Sequence, residues 1–280
     1  MAFWIRDAAL QIGNNKYTME SLNFMFEIPF EDSDELTMSI ITATNLSANT
    51  RNNIKKGYPI IVNAGYEGDI GCIFVGKVAM LSHKKDTTDW TTKITATVAL
   101  DEWLQGQVNK TYKQGITARA MLTDLLNIFG LEVGAFELAE DKSYPRGRVC
   151  RGKLKDVLKE IVVSDCKSRM MIRPTGQLII NKPDEGVNMG YLLSPQTGLL
   201  RSTDENEIIP IETDLNSKVP TGDKEEILKT RTSLLNYHIG PSDIIRIQSL
   251  DLNGRFMVVR GKHIGSRSGD WKTKMEVRPI

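Results

Sequence analysis

The chain has 280 residues, of which 40% are hydrophobic and 25% charged, a composition ordinary for a folded protein of two or three domains. Its formal net charge of +1 gives no overall attraction to nucleic acid or to an acidic membrane surface. The odd set of three distant cysteines, Cys72, Cys150 and Cys166, predicts buried apolar side chains in a reducing compartment, not a disulfide framework or a zinc site.

The N-terminal residues lack the layout of a secretory signal, and no apolar run approaches the roughly 18 residues that a membrane helix needs. We therefore expect a protein made and folded in a cytoplasm, without a membrane partner.

Along the first hundred residues, apolar and polar side chains alternate as they do in half-buried strands. Strands are predicted over residues 3–12, 19–28 and 35–44, followed by a short polar helix within residues 46–56. Residues 59–98 then form a β-meander with glycine in its turns. These six or seven strands are enough for one closed barrel or sandwich, and we assign residues 1–105 to a first β domain.

Near residue 100 the pattern becomes helical. Apolar positions over residues 116–129 predict a helix that stops at Gly130. A second amphipathic helix is predicted from the spacing of Leu154, Val157, Leu158, Ile161 and Val162. Residues 169–180 alternate on both sides of a proline-containing turn and predict a hairpin. We assign residues 106–186 to a small α+β module.

The chain returns to β structure from residue 187 to residue 280. Residues 203–226 are acidic, contain two prolines and show little periodicity, so we predict a long loop there. The predicted fold is mainly β with an α+β insert: two similar β-barrels on either side of the two-helix and hairpin module.

The two β domains share an internal repeat, because residues 243–280 follow the same course as residues 59–98. Each copy runs from an apolar strand through a glycine-containing turn into a strand with a Gly-Lys pair. Each copy then reaches a histidine, His83 or His263, and an Asp-Trp pair that ends in Trp90 or Trp271. This order predicts one β unit used twice. The alternative is that any two β-meanders look alike.

No group of residues predicts catalysis. The histidines His83, His238 and His263 are not grouped with a serine or cysteine nucleophile. The matching places of His83 and His263 indicate shared ancestry of a loop more than chemistry. The glycines between residues 65 and 76 belong to hairpins and precede no helix that could bind a phosphate. We predict no enzyme activity and no catalytic, cofactor-binding or metal-binding residues.

Basic and aromatic residues have a structural interpretation. The nearest approach to a basic patch consists of Lys55-Lys56, Lys84-Lys85, Arg146, Arg148 and Arg151. No aromatic side chains are interleaved with them as a single-strand binding platform requires, so we interpret them as solvated faces. Trp90 and Trp271 are predicted to anchor a core or an interface.

Several segments occur in the order typical of one known family. Residues 56–66 and 73–78 resemble the first barrel of phage baseplate hub proteins. The C-terminal signature consists of Gly198-Leu199-Leu200, Ser233-Leu234-Leu235-Asn236, Asp243-Ile244-Ile245, Leu252-Asn253-Gly254-Arg255-Phe256, Lys262-His263 and Gly269-Asp270-Trp271. The chain resembles this family over nearly its whole length. It departs from the family where Pro241 is followed by Ser242 instead of glycine, and residues 203–226 are unusually long for the loop.

The resemblance implies a structural virion protein of the tail baseplate, assembled in the host cytoplasm. Three chains would form a ring of six similar barrels, a homotrimer that joins the hexameric tail tube to the trimeric central spike. Baseplate wedge proteins would surround the ring, and the tape measure protein and DNA would pass through its channel. The related tip protein of a non-contractile tail, a stand-alone barrel that binds a ligand or carbohydrate, and a tail-associated peptidoglycan hydrolase are the alternatives.

Overall fold

The computed structural model describes residues 5–98, 101–183, 185–200, 228–250 and 252–280. The acidic loop predicted at residues 203–226 lies outside these described residues. Among the residues described, no helix is both long enough and apolar enough to cross a membrane.

The N-terminal β unit follows the predicted order of strands with one short helix. Strand β3 places Phe24, Phe26, Ile28 and Phe30 on its buried face, as its period-two pattern requires. The short strand β2 was not predicted. The bounds are β1 Arg6–Ile12, β2 Asn15–Thr18, β3 Asn23–Glu31, β4 Met38–Thr44, α1 Ala48–Asn53, β5 Pro59–Tyr66, β6 Asp69–Asp86 and β7 Asp89–Val98.

The central module contains both predicted helices and the predicted hairpin. Its bounds are α2 Asp101–Gln105, β8 Gln107–Tyr112, β9 Ile116–Thr117, α3 Ala118–Ile128, β10 Val133–Phe136, β11 Ser143–Tyr144, β12 Arg148–Lys153, α4 Leu154–Lys159 with the π-helical segment Glu160–Asp165, β13 Arg169–Ile172 and β14 Leu178–Asn181. Helix α3 begins where the Thr117 hydroxyl accepts a hydrogen bond from the Ala120 amide. The antiparallel β8–β12 ribbon and the parallel pairing of β10 with β14 were not predicted.

The C-terminal β unit has the bounds β15 Val187–Leu193, a 3-10 turn Pro195–Thr197, β16 Lys229–Leu234, β17 Asp243–Gln248, β18 Asn253–Ser266 and β19 Trp271–Pro279. The chain is therefore mainly β with an α+β insert between two β units, which confirms the predicted fold class.

The two β units have the same strand pairing. In the N-terminal unit β5 pairs with the first half of β6, the rest of β6 pairs with β7, and β7 pairs with β4. In the C-terminal unit β17, β18, β19 and β16 pair in the same order. A register shift between Val78 and Met80 recurs between Val258 and Arg260. The same topology and the same irregularity are what a repeated unit predicts.

The shared shift corrects one detail of the sequence repeat. Counted from it, the position of Gly261 in β18 corresponds to Leu81 in β6, and not to Gly76. The two Gly-Lys pairs are therefore not equivalent and were aligned five residues out of register. By the same count His83 and His263 do correspond, as do the two Asp-Trp pairs.

Strand β3 joins the two units into one sheet. It pairs with β4 on one side and with residues 260–266 of β18 on the other. The resulting sheet has twelve of the described strands, ten of them along the path β15-β17-β18-β3-β4-β7-β6-β5-β1-β2. Off this path β19 pairs with β18, and β16 pairs with β19. Hydrogen-bonded pairing thus connects the parts of the chain that we assigned to separate β domains.

At this joint, side chains from each unit pack in the apolar core of the other unit. Phe30 of β3 belongs to the apolar cluster of the C-terminal unit. In return, Trp271 of β19 and Leu235 belong to the cluster that holds the N-terminal unit together with α3 and α4 of the module. The joint is therefore part of both cores, and separating the units would expose both.

Candidate assembly interface

The contact between β3 and β18 depends on two glycines. Gly261 pairs with Phe30, and Gly265 pairs with Phe26. A Cβ atom on either glycine would overlap the facing aromatic ring. The Phe26 ring also meets Trp271 edge-on, with 5.7 Å between the ring centroids. Aromatic side chains of one unit thus lie directly on the bare backbone of the other, which fixes the spacing of the two strands.

His263 lies between these two glycines and is buried. Its Nδ1 atom is 2.9 Å from Oγ1 of Thr273, and its ring centroid is 4.9 Å from that of Phe30. Burial lowers the pKa of His263 to about 4, although a hydrogen bond to the backbone of Ile239 opposes the shift. The ring is therefore neutral at physiological pH and serves as a buried polar cross-link.

His83, the corresponding residue of the N-terminal unit, makes the equivalent hydrogen bond to a threonine, but its side chain is not buried. Its Nδ1 atom is 3.0 Å from Oγ1 of Thr92. The side chain is exposed because no strand in the described part of the chain takes the place that β3 has beside β18. The matched pair favours the predicted structural interpretation of these two histidines.

Two arginines of the β13–β14 hairpin connect the module to both β units. Arg169 forms an ion pair with Asp32, in the turn that follows β3. Arg173 forms an ion pair with the fully buried Asp243 at the start of β17. Burial raises the pKa of Asp243 to about 6, opposed by Arg173 and by the Gly240 amide, which donates to Oδ2 at 2.7 Å. At neutral pH the pair is ionised and ties the hairpin to the C-terminal unit.

Ser242, which departs from the family pattern, has a left-handed backbone. Its φ angle is +64°, in the region that favours glycine. The buried hydroxyl accepts hydrogen bonds from Nδ2 of Asn181 at 2.8 Å and from Nη2 of Arg169 at 3.3 Å. The serine therefore offsets its backbone strain with hydrogen bonds to the module that glycine could not make.

A cavity of about 200 Å³ lies where the module and the two β units meet. Tyr237 lines it, stacks on His238 with 4.0 Å between the ring centroids, and donates to Oδ1 of Asp69 at 2.6 Å. Cys72 also lines the cavity, and burial raises the pKa of its thiol, the opposite of what activates a nucleophile. Among the described residues no group of three or more His, Cys, Asp or Glu side chains could hold a metal ion. The lining contacts connect the two units.

The other residues singled out in the sequence have separate places. Trp271 is buried in the joint, whereas Trp90 is half-buried with the Arg51 guanidinium 4.3 Å from its ring centroid. Cys150 and Cys166 are buried free thiols, as predicted, and Cys72 is partly buried. Arg148 forms ion pairs with Asp165 and Glu160. The remaining basic residues are exposed and lie on three separate segments. These are Lys55 and Lys56 before β5, Lys84 and Lys85 on β6, and Arg146 and Arg151 before and within β12.

The sequence reasoning missed several residues of the joint. Arg169, Arg173 and Asp32 gave no signal, because ion pairs between distant segments leave no local pattern. Gly261 and Gly265, four residues apart within a strand, did carry one, since glycine inside a strand often marks a close approach of another chain segment.

Solved structures of known proteins resemble this chain in fold, whereas the comparisons of sequence found no match. No protein-family model matches the chain, and no curated protein matches it. Two solved tail proteins, from Neisseria meningitidis MC58 and from prophage MuSo2 of Shewanella oneidensis, each superpose with a TM-score of 0.67 at 10% identity over 98% of this chain. The matches cover 97% and 98% of those two proteins.

A third solved structure belongs to an Escherichia coli component of the type VI secretion system, described as similar to the T4 phage tail proteins gp27 and gp5. It superposes with a TM-score of 0.63 at 10% identity, over 97% of this chain and 76% of that one. The chain therefore has the fold of these two tail proteins and of the secretion-system component, which confirms, at the level of the fold, the resemblance predicted from its motifs.

Proposed function

We propose that the chain is a structural hub subunit of a phage tail baseplate or of a related injection device. Three copies form a ring that joins a sixfold tail tube to a threefold central spike. Baseplate wedge proteins contact the outside of the ring, and the tape measure protein and DNA pass through its channel. The chain carries no enzymatic step in this role, and its place is in the virion tail.

The observation that carries this proposal is the repeated β unit within one chain. The two units have the same strand order and the same register shift, and β3 joins them edge to edge. Three such chains hold six similar units. A ring of this kind has exact threefold symmetry for the spike and near-sixfold symmetry for the tube.

The fold likeness supports the same role. The superposed proteins from Neisseria and Shewanella are tail proteins, and the match extends over nearly the whole of both chains. The near-neutral net charge of +1 also suits a ring that DNA must cross without binding tightly.

The test is the mass of the purified full chain in solution, alone and with the tube and spike proteins of the same genome. We expect a species of three 31.4 kDa chains, about 94 kDa, that binds both partners in a pull-down. Tube and spike proteins from an unrelated phage are the control. A chain that stays monomeric and captures neither cognate partner would refute the hub function.

A further inference from the structure

The β8–β12 ribbon of the module has one buried face and one open face. Val108, Tyr112 and Cys150 lie on the buried face, in the apolar cluster that includes α3 and α4. Every residue of the opposite face is exposed: Gln107, Asn109 and Thr111 on β8, and Val149, Arg151 and Lys153 on β12. The ribbon therefore presents a whole face that no element in the described part of the chain covers.

The register also gives β12 an open edge. The Leu154 amide donates to the Gly106 carbonyl at 2.8 Å, which makes these two residues a hydrogen-bonded pair at the end of the ribbon. Pairs alternate along an antiparallel ladder, so Val149, Arg151 and Lys153 direct their N–H and C=O groups away from β8. Among the described strands, β12 pairs with β8 alone. The other side of β12 is therefore open to a further strand.

The open face carries positive charge and no negative charge. Arg151 and Lys153 lie on it, and none of its six residues is an Asp or a Glu. Lys113 and Arg146 are exposed at the end of the ribbon away from Lys153. None of these four cations forms an ion pair with a described residue, so their charges are not neutralised within this part of the chain.

The acidic residues next to the ribbon are engaged on its inner side. Asp124 of α3 forms an ion pair with Lys110, with 2.6 Å between Oδ2 and Nζ. Asp165 and Glu160 both form ion pairs with Arg148. These contacts neutralise the cations that point toward the module, and they leave the cations of the open face for a partner outside it.

We propose that the β8–β12 ribbon is a docking site for an extended acidic segment of another protein, which adds to β12 as a third strand. The backbone of the added strand bonds to Val149 and Arg151, and its carboxylates lie near Arg151 and Lys153. In this mode of recognition the main-chain bonds supply affinity and the side chains supply specificity. This docking site goes beyond the proposed hub function and does not depend on it.

The side chains of the open face favour a protein segment over nucleic acid. Val149 is 64% exposed and lies directly opposite Thr111, so the face offers β-branched side chains that pack well against a neighbouring strand. An apolar contact surrounded by charged groups is typical of a protein interface. No aromatic residue stands on the face to stack on bases.

The test measures the binding of a fluorescein-labelled peptide of alternating glutamate and threonine to the full chain by fluorescence anisotropy. We expect the wild-type chain to bind it and not to bind a peptide of alternating lysine and threonine. Arg151→Glu should weaken binding on the order of tenfold, because an attraction between charges becomes a repulsion. Lys56→Glu is the matched control, since it makes the same charge change at an exposed lysine outside the module and should keep the wild-type affinity. A wild-type chain that does not bind the acidic peptide, or equal losses in the two variants, would overturn the docking site.

A backbone variant tests the added strand separately. Val149→Pro removes an outward-pointing amide without removing a β8–β12 hydrogen bond, and Val149→Ala is its control. Both should keep the far-ultraviolet circular dichroism of wild type, and only the proline variant should lose the peptide. Equal affinities of these two variants would reject the added strand. A DNA duplex that binds more tightly than the peptide, and is lost in Arg151→Glu, would assign the face to nucleic acid instead. Arg151→Glu, at an exposed position, decides the site even if the proline variant does not fold.

Discussion

Acid should destabilise the protein through one buried histidine, His263. Its ring lies under Phe30 and bonds to Thr273, and burial lowers the pKa of the folded state to about 4 from an ordinary 6.5. Between pH 6.5 and 4, His263 is therefore mostly protonated in the unfolded chain and mostly neutral in the folded chain. The stability contributed by the neutral ring is present above pH 6.5 and is lost as the pH falls toward 4.

The size of this loss follows from the shift. Each unit of pKa difference corresponds to about 1.4 kcal/mol, so the histidine removes about 3 kcal/mol from the free energy of unfolding across this range. The assay is urea denaturation, followed by tryptophan fluorescence, at several pH values from 7.5 to 4.5. His263→Asn keeps a hydrogen-bonding group near Thr273 and removes the titration. Its unfolding free energy should fall less steeply with acid than that of wild type.

A control variant distinguishes the effect of removing a buried histidine from the effect of removing any histidine. His83→Asn removes the corresponding histidine, which makes the same bond to Thr92 at an exposed site, and should leave the acid dependence of wild type in place. Asp243 acts in the opposite direction: its raised pKa makes its contribution fall as the pH rises through about 6, and it is present in every variant. If wild type and His263→Asn lose stability in parallel down to pH 4.5, the assigned role of His263 is wrong.

Three further comparisons of variants test the residues of the joint by urea denaturation at neutral pH. Trp271→Ala should cost about 3–5 kcal/mol because a buried aromatic is lost, and Trp90→Ala less than half of that because Trp90 is half-exposed; equal losses would contradict the anchoring role of Trp271. Gly265→Ala should cost about 1–3 kcal/mol by overlap with the Phe26 ring, and Phe26→Leu in the same chain should recover part of it; no recovery would reject direct overlap. Ser242→Ala, which keeps the strained backbone but loses the hydroxyl, should destabilise more than Ser242→Gly, and the reverse order would show that the hydrogen bonds contribute little.

The repeated unit could be predicted because its signals are local. The alternation of apolar residues, the Asp-Trp pairs and the histidines are each visible within about forty residues. The register between the copies could not be obtained in the same way. It is set by a bulge next to Val78 and Val258, and an extra residue in a strand resembles any other strand residue. The Gly-Lys pairs were therefore matched wrongly although the repeat itself was identified.

The joint could not be predicted because it depends on pairing between segments far apart in the chain. Strand β3 and β18 are separated by more than two hundred residues, and either could pair with other partners on pattern alone. The same holds for the pairing of Arg169 with Asp32 and of Arg173 with Asp243. The short strands β2 and β8 were missed because a four- to six-residue polar segment has too little periodicity to stand out.

The outer part of β6, residues 80–86, differs from the rest of the strand in what it adds to stability. The outer parts of β6 and β7 form a two-stranded ribbon in water, and such a ribbon adds little stability by itself. Yet this ribbon keeps the strand order, the bulge and the histidine–threonine bond of the covered ribbon in the C-terminal unit. The fully buried residues of β6 end at Val78, and Leu81 is partly buried against the core of the N-terminal unit. Residues 82–86 lie beyond these contacts, and no strand in the described part of the chain covers their outer edge.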